Sequence, residues 1–281
     1  MYITYFNDGE YAKPYVMRIG VIGLDELYLH EETVDSHLRW LKRSMKEDGI
    51  LSNPVIVDEN TGVVLDGTHR VQCLRELGYK YVLAAFVDYR DPRIRIKNWY
   101  RVLRGDVKNI IEYARRLGFR EQASPDVRSY INGRAIVICV GGKLYVYDTT
   151  DDVYHQYIKL RELERTLLTV GFSIDFVHED VALDECLGGG TVILTPKIAK
   201  EDVVRNALSG RLFPPKTTRH IFPIRPLTID LPLRYLRMGH IGRERMNAMI
   251  TQFLMTRQRI KVLGRTFLDR FYEEDSLVFY V

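Results

Sequence analysis

Two features are scarce in this sequence: cysteine and long apolar runs. Its 281 residues contain three cysteines, Cys73, Cys139 and Cys186, which are odd in number and widely separated. This spacing supports neither a disulfide framework nor a zinc knuckle and favours a reducing cytoplasm. No apolar run approaches the roughly 18 residues that a membrane-spanning helix needs, and the N-terminus lacks the basic start and apolar core of a secretion signal. We therefore expect a cytoplasmic protein with no membrane partner.

A strong excess of one charge is also absent. The formal net charge is +4 at pH 7, and the contents of 46% hydrophobic and 28% charged residues are ordinary for a globular protein. Such a mild positive charge permits an anionic small molecule as ligand but does not by itself require nucleic acid. We therefore regard nucleic acid as an unlikely partner.

The most informative stretch is a predicted strand, turn and helix between residues 62 and 78. The turn consists of Asp66, Gly67, Thr68, His69 and Arg70. Asp66 or Thr68 can cap the helix, and Gly67 lets a ligand approach the backbone closely. The positive end of the helix macrodipole disfavours cations in the first helical turn unless an anion lies between the cations and the helix end. A nucleotide phosphate bound by backbone N–H groups and Arg70 fits this pattern, although a solvated helix cap fits these five residues equally well.

A second polar stretch lies near residue 218. It is flanked by prolines and contains five consecutive hydrogen-bond donors: Lys216, Thr217, Thr218, Arg219 and His220. Ammonium, guanidinium, hydroxyl and imidazole groups in sequence suit a cluster of anionic oxygens. A solvated basic loop is the alternative interpretation.

The periodicity of the remaining chain predicts two α/β units and an extension. Residues 1–104 form the first unit and residues 105–233 the second, which contains predicted helices over 107–117, 153–169 and 200–208. Residues 234–281 are predicted to be a basic amphipathic helical extension, because a single acid, Glu244, lies among many cations between Arg234 and Arg265. Its apolar stripe favours packing on the body or on a second copy, so a homo-oligomer is possible; a nucleic-acid or membrane contact is the less favoured alternative.

Four motifs, in this order, resemble the archaeal free L-serine kinase family. They are His30-Glu31, the turn from Asp66 to Arg70, Trp99-Tyr100, and the stretch from Pro215 to His220. The resemblance covers about residues 16–233. The chain differs from the family pattern at Thr68, where the family has a histidine.

The resemblance implies a mixed α/β (α+β) fold. Its N-terminal domain would be ParB/sulfiredoxin-like and bind nucleotide phosphates, and the active site would lie in a cleft between this domain and a second α/β domain. The implied reaction is phosphoryl transfer from ADP or ATP to free L-serine, which gives O-phospho-L-serine for cysteine synthesis. The implied partners are therefore L-serine and a nucleotide, with Mg²⁺ as cofactor.

The resemblance also implies residue roles. Glu31, His69 and Arg219 would be catalytic, with Glu31 as the base and Glu32 as its competitor. Serine would contact Glu31, Trp99 and His220, and Asp66 would position Mg²⁺ directly or through water. The phosphates would be held by the two polar stretches, namely Asp66, Gly67, Thr68, His69, Arg70, Lys216, Thr217, Thr218, Arg219 and His220.

Two other classes compete with this interpretation. A ParB-like DNA-binding regulator would use the basic tail, but no helix-turn-helix pair stands out in the sequence. A sulfiredoxin-like reductase would need a reactive cysteine in the phosphate turn, where this chain has Thr68.

Overall fold

The computed structural model describes residues 1–5, 13–122, 126–148, 152–237, 241–268 and 271–280. These residues form two compact units. The first comprises Met1–Arg95, Ala207–Leu212 and His220–Val281, and the second comprises Ile96–Asn206 and Phe213–Arg219. This division differs from the predicted boundaries at residues 104 and 233: residues 96–104 belong to the second unit, and the C-terminal segment belongs to the first.

The strands and helices are numbered in chain order. The strands are β1 (Tyr2–Tyr5), β2 (Tyr15–Gly23), β3 (Ile50–Leu51), β4 (Val55–Asp58), β5 (Val64–Asp66), β6 (Tyr81–Val87), β7 (Arg95–Asn98), β8 (Tyr100–Arg104), β9 (Arg120–Glu121), β10 (Ile136–Val140), β11 (Lys143–Tyr147), β12 (Ser173–Val177), β13 (Thr191–Leu194), β14 (Thr218–Ile221), β15 (Ile224–Leu227), β16 (Leu231–Pro232), β17 (Gln258–Val262), β18 (Thr266–Phe267), β19 (Phe271–Tyr272) and β20 (Asp275–Tyr280). The helices are α1 (Asp35–Asp48), α2 (Thr68–Glu76), α3 (Val107–Arg116), α4 (Val153–Thr169), α5 (Glu179–Leu187), α6 (Lys200–Leu208) and α7 (Arg243–Met255). The predicted α/β character and the three predicted helices of the middle region are confirmed.

The first unit is built on a five-stranded sheet in the order β1-β2-β6-β4-β5. Its pairs are antiparallel except β4 and β6, which are parallel. Strand β6 is almost entirely buried, as expected for an apolar strand in the centre of a covered sheet. Helices α1 and α2 pack against each other, and α1 ends at Gly49, whose φ of 66° is the left-handed conformation that glycine adopts readily.

The C-terminal segment is helical only in its first half. Helix α7 buries Met246, Ile250 and Leu254, which confirms part of the predicted apolar stripe. The chain then continues as strands, so the expectation of a helical extension to the terminus is corrected. Strand β20 pairs in parallel with β15 and antiparallel with β17, and this pairing outweighs any helical preference of the segment.

The same segment contacts the five-stranded sheet of its own unit. The Asn247 side-chain oxygen accepts a hydrogen bond from the Val21 amide at 2.8 Å. Lys261 forms an ion pair of 3.2 Å with Asp275, whose carboxylate also accepts the Tyr5 hydroxyl at 2.6 Å. Part of the tail's positive charge is therefore balanced within the unit.

The second unit contains an antiparallel sheet in the order β12-β8-β13-β10-β11-β9. Gly141-Gly142 forms the hairpin turn between β10 and β11, and both residues have positive φ, as a tight hairpin requires. Cys139 on β10 and Cys186 at the end of α5 are joined by a disulfide. The expectation of unpaired cysteines is therefore wrong for this pair, because the fold brings together residues 47 positions apart.

Among the described residues, no helix has the length and apolar character needed to cross a membrane.

We predict that the C-terminal strand is essential to the stability of the first unit. Phe279 on β20 is fully buried, whereas Phe267 is 75% exposed. Phe279→Ala should lower the free energy of unfolding by about 3–5 kcal/mol, since it leaves a large core cavity. The matched change Phe267→Ala should stay within about 0.5 kcal/mol of the parent. Urea unfolding followed by circular dichroism measures both, and equal effects would contradict the packing of the segment.

Candidate functional site

The polar turn after β5 has the backbone geometry of an anion site. Gly67 precedes α2 with a φ of 99°, and its carbonyl accepts the Val71 amide at 3.0 Å. A Cβ on Gly67 would lie 2.8 Å from Val55 Cγ1 and 2.9 Å from Arg70 Nε, so a larger residue does not fit. Gly67 itself is thus the cap, rather than Asp66 or Thr68. The first-turn amides of a helix have no acceptor within it and can bind an anion.

Asp66 is held between two guanidinium groups. Its Oδ2 accepts a hydrogen bond from Arg70 Nη2 at 2.6 Å and lies 3.0 Å from Arg225 Nη1. Arg70 also donates to the carbonyl oxygens of Asn53 and Pro54, at 2.9 and 2.8 Å. These contacts make Arg70 a brace of the turn.

The arrangement around Asp66 does not fit a direct Mg²⁺ ligand. Both arginines contact the same carboxylate oxygen and neutralise its charge. The described residues include no cluster of three histidine, cysteine or acidic side chains able to hold a metal. This geometry therefore gives no support to Asp66 as a direct ligand, and a contact from Asp66 to Mg²⁺ through water stays a prediction.

Arg225 is a residue that the sequence analysis missed. It is 4% exposed, and its Nε donates to Glu274 Oε1 at 2.6 Å while Nη2 donates to the His220 carbonyl at 3.2 Å. Together with its contact to Asp66, this guanidinium connects the phosphate turn to the C-terminal segment. The sequence does contain a signal for this role. Arg225 lies inside the otherwise apolar run Ile224–Leu227, and an arginine in a buried strand must have a charged or hydrogen-bonding partner.

The loop that carries Glu31 runs beside β5. Tyr28 and Val63 form a parallel bridge, and the Val64 amide donates to the Tyr28 carbonyl at 2.9 Å. His30 is buried and donates from Nδ1 to the Val64 carbonyl at 2.7 Å, which leaves its Nε2 3.7 Å from Glu31 Oε1. The strand that ends in the phosphate turn therefore also positions a carboxylate. Glu31 and Glu32 are both half-buried, so exposure does not decide between them.

The histidines of the site have defined partners. His69 accepts the Val34 amide at Nε2, at 2.9 Å, so this ring faces the start of α1. His220 is buried, and its Nε2 lies 2.7 Å from the Tyr89 hydroxyl. The rings of His30 and His220 meet edge to face at 5.5 Å. The first unit thus brings Glu31, His220 and the phosphate turn into one connected network.

Other expected residues lie in the second unit. The Trp99 ring is partly exposed and has Lys216 Nζ at 4.8 Å, Arg219 Cζ at 5.8 Å and the His178 ring at 5.1 Å. These cationic neighbours favour a ligand-binding role for Trp99 over simple core packing. Burial raises the pKa of the adjacent Tyr100 to about 12, so its hydroxyl remains protonated at neutral pH.

The two threonines of the second polar stretch are both buried. Thr217 is fully buried and its hydroxyl donates to the Pro214 carbonyl at 2.8 Å. Thr218 is buried at the start of β14. Thr217 therefore stabilises the turn that presents Lys216, while phosphate binding by Thr218 stays a prediction.

Comparison with known proteins confirms the resemblance that the motifs predicted. The chain is 28% identical over 228 residues to an ATP-dependent L-serine kinase of Staphylothermus marinus, which covers 77% of this chain and 90% of the relative. It is 26% identical to an ADP-dependent L-serine kinase of Thermococcus kodakarensis, over 76% of this chain and 91% of the relative. A ParB-like protein of Sulfolobus acidocaldarius is 27% identical over 70% of this chain and 87% of its own length.

The fold comparison agrees with these relatives. A solved free serine kinase in complex with AMP superposes with a TM-score of 0.65 at 24% identity, over 78% of this chain and 93% of that structure. No family model matches the sequence. The similarity shows that the chain shares the fold of the free serine kinases.

We predict that Arg225 holds the first unit together. Arg225→Met leaves the carboxylates of Asp66 and Glu274 without their shared cation, and breaking a buried ion pair in this way costs about 3–5 kcal/mol. Arg245→Met, at an exposed position of α7, should stay within about 0.5 kcal/mol of the parent. Urea denaturation of both variants measures the difference, and a near-neutral Arg225→Met would show that the network is dispensable.

Proposed function

We propose that this chain is a free L-serine kinase that transfers the terminal phosphoryl group of ADP or ATP to the hydroxyl of L-serine. The observation that carries the proposal is that one strand, β5, both positions Glu31 through His30 and ends in the anion-binding turn before α2. Phosphoryl transfer to an alcohol requires a base that accepts the hydroxyl proton and a site that binds the phosphates of the donor. The similarity to named L-serine kinases supports the same choice.

In the proposed reaction, Glu31 accepts the proton of the serine hydroxyl. The serine oxygen forms a bond to the terminal phosphorus as the bond from that phosphorus to the bridging oxygen breaks, which releases AMP from ADP or ADP from ATP. His30 assists by position, because the hydrogen bond from its Nδ1 to Val64 turns Nε2 toward Glu31. The product is O-phospho-L-serine.

The phosphate turn supplies electrostatic stabilisation in this proposal. The N–H groups of the first turn of α2 would bind the nucleotide phosphates, with the hydroxyl of Thr68 and the ring of His69 beside them. Lys216 and Arg219 would balance charge on the transferred group, and Trp99 and His220 would contact serine. Arg70 would act by bracing the turn through Asp66.

The negatively charged phosphates of the donor nucleotide need a cation to balance them. Mg²⁺ usually accompanies nucleotide phosphates, through phosphate and water oxygens. We assign no protein ligand to it, because Asp66 is engaged with Arg70 and Arg225. We further infer that the product serves cysteine synthesis in the cytoplasm.

A DNA-binding role has weaker support. One relative is named a ParB-like protein, and the expected ParB/sulfiredoxin-like domain accounts for that name without a DNA-binding function. Lys261, one of the tail's basic residues, is paired with Asp275 in the first unit.

The proposal predicts that the purified protein converts L-serine to O-phospho-L-serine with ADP or ATP. Glu31→Gln should reduce turnover by roughly 10²- to 10⁴-fold, the usual loss for a general base, while nucleotide affinity is retained. Mass spectrometry of the product and calorimetric titration with the nucleotide measure the two quantities.

The matched control for Glu31 is Glu32→Gln, which should keep most of the activity. A larger loss for Glu32→Gln would transfer the base role to that residue. Absence of phosphoserine with either donor would refute the proposed function itself.

A second prediction assigns Arg219 to the phosphoryl group. Arg219→Lys keeps the charge but loses the planar fork of donors, so turnover should fall by about tenfold or more while the KM for serine changes little. Steady-state kinetics with serine as the varied substrate provide the test. A rise in the KM for serine alone would place Arg219 on the serine carboxylate instead.

A further inference from the structure

A buried arginine lies two residues after Trp99 in the second unit. Arg101, on β8, is 0% exposed, whereas the side chain of Arg104 at the end of the same strand is 56% exposed. Arginine is almost never fully buried unless it is paired, because its guanidinium gives up strong interactions with water. Arg101 therefore needs partners inside the unit.

The partners of Arg101 come from helix α4 and from the residue that precedes β8. Nε donates to Glu164 Oε1 at 2.6 Å, and Nη1 donates to the carbonyl oxygen of Trp99 at 2.6 Å. Nη2 has no hydrogen-bond partner among the described residues. A buried ion pair with an unsatisfied donor contributes little to stability, and apolar residues of similar volume often replace such a pair without loss. The bond from Nη1 to Trp99 therefore explains this pair better than stability does.

The backbone at Trp99 depends on side chains for its position. Trp99 lies between the end of β7 and the start of β8. Its carbonyl accepts the bond from Arg101 and a second bond from the Thr195 hydroxyl at 3.2 Å. The side chain of the preceding Asn98 donates to the carbonyls of Thr195 and Pro196, at 3.2 and 2.7 Å. Arg101 provides the charged donor of this set, and charge-assisted hydrogen bonds are the stronger ones.

The indole of Trp99 has cationic neighbours, and its distance from them depends on this backbone. Lys216 Nζ lies 4.8 Å and Arg219 Cζ 5.8 Å from the centre of the ring. A misplacement of about 1 Å in an active site can reduce activity by about 100-fold. A contact that fixes the Trp99 carbonyl therefore also fixes the surface that the ring offers to a ligand.

We propose that Arg101 is a positioning residue for Trp99. Glu164 orients the guanidinium, and the guanidinium holds the Trp99 carbonyl. The indole thereby keeps its place beside Lys216 and Arg219. The consequence for serine rests on the proposed function, in which Trp99 contacts the substrate, whereas the placement of the ring does not. Through Trp99, Arg101 determines the affinity for serine.

Removal of both charges tests the proposal without leaving either charge buried alone. The double variant with Arg101→Met and Glu164→Leu should raise the KM for serine about tenfold and change kcat by less than about threefold, since it weakens substrate binding and leaves the reacting groups in place. The KM for the nucleotide should stay within about twofold of the parent. Arg104→Met, at the exposed end of the same strand, is the matched control and should change none of these constants.

Two conservative variants separate the bond to Trp99 from the ion pair. Glu164→Gln retains an oxygen that accepts from Arg101 Nε, so the KM for serine should stay within about threefold of the parent. Arg101→Lys keeps a charge for Glu164 but loses the planar fork that spans both partners, so the KM for serine should rise as in the double variant. Arg101→Lys also keeps the test valid if the double variant does not fold. Urea unfolding measures the stability of each variant.

The fluorescence of Trp99 provides a readout that does not depend on catalysis. In the Trp40→Phe background, Trp99 is the only tryptophan of the chain. Arg101→Lys should lower the fluorescence anisotropy of Trp99 and increase its quenching by acrylamide, because the ring is held less firmly. Arg104→Met should leave both quantities unchanged.

Three results would overturn the proposal. The first is an unchanged KM for serine in Arg101→Lys and in the double variant. The second is an equal rise in the KM values for serine and nucleotide, and the third is a KM for serine that follows the loss of stability across all variants; both would give Arg101 a general structural role. Failure of the parent protein to phosphorylate serine would refute the proposed function instead, and the fluorescence of Trp99 would then decide the positioning role.

Discussion

The buried guanidinium of Arg225 is the constraint on which the first unit depends. A charge removed from water is tolerated only if its hydrogen-bond donors find partners, and here two of the three partners come from distant parts of the chain. Asp66 contributes from the phosphate turn, His220 from its backbone carbonyl and Glu274 from the C-terminal segment. If one of these partners moved away, the charges of Arg225 and its remaining partners would be poorly balanced. The turn and the C-terminal segment therefore hold each other in position.

This network gives the C-terminal segment a role in the candidate site. Residues Asp275–Val278 of β20 pair with β15, and Glu274 directly precedes this strand. The carboxylate that anchors Arg225 is therefore fixed by sheet pairing. Arg225 in turn neutralises Asp66, which keeps the turn in the conformation that Gly67 permits and Arg70 braces. This series of contacts explains how a segment far along the sequence supports the candidate anion site at residues 66–70.

Much of the candidate site could be predicted from local sequence. A strand followed by Asp66-Gly67 and an amphipathic helix predicts a tight turn before a helix, and in the structure α2 begins directly after Gly67, which has a positive φ and replaces Asp66 or Thr68 as the cap. The placement of Glu31 could not be predicted from its neighbours alone, because it depends on the hydrogen bond from His30 to Val64 across the loop. The contacts of Arg70 could not be predicted either: its guanidinium donates to the carbonyls of Asn53 and Pro54 as well as to Asp66, and no pattern in the turn reveals those two carbonyls.

The sequence by itself determined the elements whose causes lie within a few residues: the α/β alternation, the hairpin at Gly141-Gly142, the phosphate turn and the apolar stripe of α7. Helix periodicity, caps and positive-φ turns depend on short-range sterics and hydrogen bonds, so they can be inferred without a fold. Only the tertiary structure decided that β17, β18, β19 and β20 follow α7 as strands, that Cys139 meets Cys186, and that Arg225 joins Asp66 to Glu274. Each of these depends on which sheet edge is open and which charge is buried, and both are properties of the folded chain as a whole.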